Sequence, residues 1–370
     1  MTHFPIADKT SKHGCKMQRI NWIDWVKAWC MTVVVFCHLP QQEDAFYLQY
    51  LSSVILSSFF FVSGYLKKPI NSQKESLKKY FYCLIIPYFT YNAIYYPYWI
   101  AKTYIEQGGL LSFSECLKPI IGTMLGQLDS SFSCQLNGVT WFLISLFIMH
   151  WITDLCNRQK HRKTWMIVIS IVAIFLYGLN KYTHFAPYLT FHGLVRSIPF
   201  FFMGNLLRNT SYLKEICFKK DLYLGVSALI LSIVLFFWHI HEDIFILHIL
   251  LYFIVNALSV FAFIYLFRTL DNNEILLVTW ISYGTMVIFG LHRIFIGIID
   301  YGLEKILQIN NIRYEWHEAI FIAFSICILL YPVILLVKKY APILVGKKTH
   351  SFLFTCFSDE NIYKTNVDST

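Results

Sequence analysis

Charge is what this sequence has least of. Asp, Glu, Lys and Arg make up 14% of its 370 residues, against roughly 25% in an ordinary soluble domain. With 56% hydrophobic residues, a single water-soluble globule is excluded, because it would have more apolar surface than it can bury. Ten Cys are present, yet there is no Cys-x-x-Cys pair and no His cluster at zinc-ligand spacing, which argues against a zinc module or a dithiol redox centre. Cys30, Cys37, Cys83 and Cys327 sit inside apolar runs and read as small hydrophobes. Cys116 and Cys134 share one long expected exterior loop, where a disulfide is open to them. No low-complexity tract, no transporter-like inverted repeat and no second soluble domain stand out. No cleavable signal peptide is expected, since a polar, basic segment precedes the first apolar stretch and no small-residue cleavage pattern follows it. No Ser or Cys lies in a recognisable nucleophile motif.

What the chain does have is apolar runs and aromatics, 33 Phe and 24 Tyr among them, with a mean hydropathy of +0.51. Runs near twenty residues, the length that crosses a bilayer, predict an all-α, polytopic transmembrane bundle of about ten spans. They fall near 22–40, 46–66, 80–101, 139–156, 164–180, 190–207, 221–239, 245–267, 276–299 and 317–337. The expected organisation is a cytoplasmic N-terminal tail over 1–20, a membrane domain over 21–340 and a cytoplasmic C-terminal tail over 341–370. Lys and Arg alternate from loop to loop as the positive-inside rule requires. Groups such as Lys67, Lys68, Lys74, Lys78 and Lys79, or Arg158, Lys160, Arg162 and Lys163, fall inside, while only Lys102, Lys118, Lys181, Lys305 and Arg313 fall outside. The formal net charge of +9 is therefore topological, not a nucleic-acid stripe.

Charges inside the membrane need a reason, since each costs roughly 2.5–3.5 kcal/mol at a helix centre. Lys27, Arg196 and Arg293 qualify, accompanied by Asp24, His38 and His292. Lys27 and His38 are eleven residues apart, about three turns plus 20 degrees, so they share a helix face with about 16 Å between them. Asp24 lies within reach of Lys27 and about 40 degrees from His38 in projection. His38 and His292 are each sixteen residues from the inner start of their span, which predicts a common depth, with Arg196 and Arg293 near it. The bland alternatives are a Lys27 that snorkels to headgroups and arginines that hold lipid phosphate or helix carbonyls.

The segment RINWIDWVKAWCMTVVVFCH, ending at His38, resembles the opening helix of acyltransferase family 3 membrane proteins. The matching features are an aspartate near its start and a basic residue followed eleven positions later by His. FFFVSGYLKK, with Phe61, Ser63, Gly64, Tyr65 and Leu66, resembles the family's second block, and Lys78, Lys79 and Pro87 its basic helix start. TWFLISLF around Trp141, RSIPFFFMGNLL from Arg196 and ISYGTMVIFGLH ending at His292 look like later blocks, so the likeness covers roughly 19–337. One departure is Lys27, a point charge where the family usually has the two-pronged guanidinium of Arg.

The resemblance implies an O-acyltransferase of the inner (plasma) membrane. It would use acyl-CoA, acetyl-CoA foremost, as co-substrate with no bound cofactor or metal, and a surface-glycan or exopolysaccharide hydroxyl, lipid-linked or not, as acceptor. On that reading His38 is the general base and Arg196, Arg293 or His292 stabilises the oxyanion. Lys27, Lys78, Lys79 and the backbone near Ser63 and Gly64 then hold the donor. The bilayer is the other partner, and nucleic acid is not one. The rival classes are a transporter or flippase, with the intramembrane charges as its path, and a non-enzymatic membrane sensor or scaffold.

Overall fold

The computed structural model describes residues 20–70, 72–126, 136–183, 190–208, 210, 213, 215–308 and 312–347. The expected tails therefore lie almost wholly outside the described residues, as does Cys134. Within them every regular element is helical. They are α1 (Asn21–Cys37), α2 (Phe46–Leu66), α3 (Gln73–Tyr80), a π-helical turn (Phe81–Ile85), α4 (Ile86–Gln107), α5 (Phe113–Leu125), a 3₁₀ turn (Gly138–Thr140) and α6 (Trp141–Asn157). There follow α7 (Arg162–Thr183), α8 (Phe191–Leu207), α9 (Phe218–Ile240), α10 (Phe245–Arg268), α11 (Leu276–Leu307), α12 (Trp316–Tyr340) and a closing 3₁₀ turn (Pro342–Val345).

Seven helices among the described residues (α2, α6 with its 3₁₀ turn, α7, α9, α10, α11 and α12) are long and apolar enough to cross a membrane. The chain is thus a multi-pass helical membrane protein. The other three expected spans coincide with α1, α4 and α8. Both α1 and α8 have 17 residues, below the usual length for a full crossing, and α4 is rich in Tyr. The two largest departures from the sequence reading are one boundary and one added helix. The helix expected to end near 299 runs on to Leu307, because its amphipathic pattern continues beyond the apolar run, and it stops where Gln308 turns left-handed at φ 55°. The loop expected between the third and fourth spans contains α5. It opens with a Ser112/Glu115 capping box, a local signal that hydropathy does not see, and Cys116 sits on it.

Helix α1 is the axle. It packs against α2, α10, α11 and α12, and Trp22, Ile23, Val26, Met31 and Val35 are all but fully buried. Its first turn is held from the α10–α11 connection, where the Asp271 carboxylate accepts from the Trp22 amide at 2.8 Å and the Asp271 carbonyl from the Asn21 amide group at 2.7 Å. A carboxylate there satisfies an otherwise orphaned amide and complements the helix dipole, about 1 kcal/mol of stabilisation.

Helices α2 and α8 approach backbone to backbone through two glycines. A Cβ on Gly64 would lie 1.9 Å from the Phe201 carbonyl oxygen, and one on Gly204 2.0 Å from that of Phe61. Neither obstacle is a flexible side chain, so Gly64→Ala and Gly204→Ala are each expected to push the helices apart and destabilise the fold by about 1–3 kcal/mol or more. Thermal unfolding in detergent checks this, and unchanged midpoints would contradict it.

Two ion pairs brace the end of the bundle where α1 begins. Lys67 Nζ lies 2.7 Å from Asp154 Oδ1, with both side chains 1% exposed, and donates to the Tyr80 hydroxyl at 2.6 Å. The hydroxyl of Ser76 donates to the same carboxylate. Arg268 Nε lies 3.0 Å from Asp221 Oδ2, again almost fully buried, and its Nη2 donates to the Glu215 carbonyl. Buried charge survives only when paired and hydrogen-bonded, and both clusters meet that condition.

Candidate active site

Helix α1 carries a polar residue near each end, and α11 supplies a partner for each. Near the start, Asp24 accepts a hydrogen bond from the Ser282 hydroxyl. One turn on, Lys27 is buried and lines a narrow cavity of about 40 Å³ between α1, α2, α6 and α11. Met31, Phe59, Ser63, Phe142, Thr285 and Phe289 are among its other walls. The volume suits a thin chain or a few waters, and the walls are apolar except for Lys27 and two hydroxyls.

At the other end, His38 is the first residue past α1 and is exposed. Its ring meets that of His292 edge to face, centroids 5.1 Å apart. His38 Nδ1 lies 2.7 Å from the Val34 carbonyl oxygen. His292 Nδ1 lies 2.9 Å from that of Ile288 and 3.0 Å from that of Phe289. A carbonyl can only accept, so each Nδ1 carries a proton and each neutral ring presents Nε2 as a lone pair. His292 is fully buried, and its Nε2 has no hydrogen-bond partner among the described residues. Neither imidazole lines the cavity; the link between the two is Phe289, which forms part of the cavity wall and accepts from the His292 ring through its carbonyl.

Arg293 follows His292 on α11 and is exposed. It lies in electrostatic reach of both imidazoles and packs against the turn before α6, where a Cβ on Gly138 would come 3.2 Å from Arg293 Nη1. That turn is fixed by residues the sequence reading did not single out. Asn137 donates from its side chain to the Gly290 carbonyl at 2.9 Å and from its backbone to the Asn92 side chain at 3.0 Å. Asn92 in turn donates to Thr140 Oγ1 at 2.9 Å. Nothing in one sequence links positions 92, 137 and 290; only asparagines within apolar stretches hint at a buried network.

The other expected site residues are placed elsewhere. Arg196 lies over the Trp141 ring, 5.1 Å from its centroid, in electrostatic reach of His192, Tyr177 and Tyr252. No contact among the described residues joins it to His38, His292 or Arg293. Gly64 is turned to the α8 backbone, not to the cavity, and its carbonyl accepts from the Asn205 side chain at 3.2 Å. Lys78 is exposed on α3. Lys79 lies over the Tyr80 ring at 5.9 Å, and neither lysine is in the cavity wall. Of the expected donor residues, only Lys27 and Ser63 share the cavity.

This arrangement offers basic imidazole nitrogens near a guanidinium, and nearer the start of α1 a narrow apolar cavity walled in part by a buried ammonium. Base catalysis on a hydroxyl and stabilisation of a developing oxyanion are chemistry it can support. Comparison with known proteins identifies the class: the family model described as an acyltransferase domain matches residues 20–338. No curated protein and no solved structure matches the chain.

Proposed function

This chain belongs to acyltransferase family 3 and is a membrane acyltransferase, and from that premise we propose that it transfers an acyl group, acetyl foremost, from acyl-CoA to a sugar hydroxyl of a cell-surface or exopolysaccharide glycan. Its proposed site of work is the inner (plasma) membrane, with the Lys27 end of the bundle toward the cytoplasm. The observation that carries this reading is the His38–His292 pair, each ring committed through Nδ1 to a backbone carbonyl, with Arg293 in electrostatic reach of both. A pantetheine arm, narrow but carrying two amides, enters this cavity only as the surrounding helices part, with Lys27, Ser63 and Thr285 as its polar walls.

In the proposed reaction the acceptor hydroxyl gives its proton to His38 Nε2 as its oxygen attacks the thioester carbonyl. A C–O bond forms, and the carbonyl oxygen takes the negative charge. Arg293 is the donor for that oxyanion. His292 is not, because its neutral ring offers only a lone pair there; fully buried, it instead supports the His38 ring edge to face. Collapse breaks the C–S bond, and the CoA thiolate leaves with the proton held by His38. Arg196 takes no part in these steps; it steadies Trp141 at the start of α6. Lys78, exposed on α3, meets the outer part of the donor.

Lys27 is expected to act through its charge. Lys27→Arg should retain most donor use, whereas Lys27→Ala should raise KM for acyl-CoA roughly tenfold to a hundredfold, the range of a charged hydrogen bond. Steady-state CoA release by the purified protein in lipid nanodiscs checks this, and equal losses in both variants would contradict it. The same assay tests the proposal as a whole. Acceptor-dependent CoA release supports it, and glycan passage across a vesicle wall without donor turnover would replace it by the transport reading.

A further inference from the structure

Two grooves meet at the His38 end of the bundle. The first, about 450 Å³, lies between the α1–α2 connection and the start of α12, lined by Gln42, Glu43, Asp44, Tyr47, Arg313 and Trp316 among others. The second, about 610 Å³, runs along the facing sides of α11 and α12 over Leu303, Leu307, Ile312, Phe321 and Ile322. Arg313 and Tyr314 belong to both walls. The first groove is polar and acidic with aromatic rings. The second is mostly apolar, with His317 and Glu318 on its wall as well, and its Phe321 is 73% and Leu307 53% exposed.

The junction is tied to the catalytic end of α1. The Tyr314 amide donates to the carbonyl of Pro40 at 2.8 Å, two residues beyond His38, and the Tyr314 hydroxyl donates to Asp300 at 2.6 Å. Burial, with Asp300 beside it, pushes the Tyr314 phenol up from its ordinary range, so the tether stays a donor. Arg313 is exposed and makes no hydrogen bond or ion pair with any described residue. The nearby Glu318 carboxylate is engaged elsewhere, accepting from the Glu315 amide at 2.9 Å in the capping box of α12.

We infer that the two grooves form one acceptor site for a sugar carried on a lipid phosphate: the hydrocarbon chain in the α11–α12 groove, the phosphate on Arg313, and the sugar between Glu43, Asp44, Tyr47 and Trp316. This inference rests on the acyltransferase reading and names its acceptor class. The chemistry changes in the order such a molecule requires. An apolar trough suits the chain, a free guanidinium suits a phosphate in two-pronged contact, and carboxylates beside aromatic rings suit sugar hydroxyls and ring faces. Glu43, Asp44 and Glu315 surround the sugar position with negative charge, so the sugar is neutral or carries an amine, and uronic or sialic acids are disfavoured.

The test is binding of farnesyl phosphate, a short soluble lipid phosphate, to the full-length protein in nanodiscs, read by native mass spectrometry. Saturable binding is expected, with farnesol and phosphatidylglycerol binding at least about tenfold more weakly, the value of a charged hydrogen bond. Arg313→Ala should weaken farnesyl phosphate by a similar factor, Arg313→Lys by less, and Phe321→Arg should weaken it without touching the phosphate position. The inference is overturned if Arg313→Ala leaves binding unchanged, or if phosphatidylglycerol displaces farnesyl phosphate on equal terms, which would make the groove a general lipid contact. CoA release in the same preparation separates the two readings. Turnover without farnesyl phosphate binding sinks this inference alone, whereas absence of turnover with any acceptor sinks the acyl-CoA reading.

Discussion

Replacing His38 by alanine is expected to lower acyl transfer by about 10²–10⁴-fold, the usual contribution of a positioned general base, while the protein stays folded at normal abundance in the membrane. The asymmetry follows from where the ring sits. It is exposed beyond the end of α1, so its loss opens no core cavity, and Nδ1 is committed to the Val34 carbonyl, so Nε2 is the only nitrogen left to accept a proton. His292 differs, because its ring is fully buried. His292→Ala should cost stability as well as activity and is the poorer probe. Transfer rates corrected for folded protein, from size-exclusion profiles, separate the two effects. A His38→Ala variant that keeps its rate would remove that residue from the mechanism.

Breaking the Lys67–Asp154 pair is the second large effect. Asp154→Ala leaves an ammonium 1% exposed without its carboxylate and strips the Ser76 hydroxyl of its acceptor. The expected cost is about 3–5 kcal/mol, enough to deplete the folded protein. The paired replacement Lys67→Met with Asp154→Leu should recover most of that loss, because well-packed apolar groups replace a buried pair at little cost. Thermal unfolding of the two single variants and the double variant in detergent measures the coupling. If the double variant is as damaged as the singles, the ionic cluster has a role beyond mutual neutralisation.

The helical membrane fold was legible because hydrophobic run length and the alternation of basic loops are one-dimensional signals. The meeting of α1 with α11 was legible in part, since equal distances from the start of two parallel spans put His38 and His292 at one level, and their rings lie 5.1 Å apart. What one sequence does not carry is lateral placement. Arg196 has a similar depth but faces Trp141 and the α7–α10 side. Gly64 sits next to Ser63, yet one faces a neighbouring helix and the other a cavity. Lys67 and Arg268 read as loop charges marking topology, and both are buried in ion pairs. Their partners Asp154 and Asp221 lie at span ends, where an acid draws no attention until the fold brings the two together.

The central claim is that acyl transfer to a glycan runs through His38. Its most direct test is the mass of surface glycans from cells expressing the wild-type chain, the His38→Ala chain at matched membrane abundance, or neither. The expected result is an acyl increment on the glycan with the wild-type chain alone. The same increment with His38→Ala would contradict the mechanism, and no increment with the wild-type chain in the cells that naturally carry it would contradict the function.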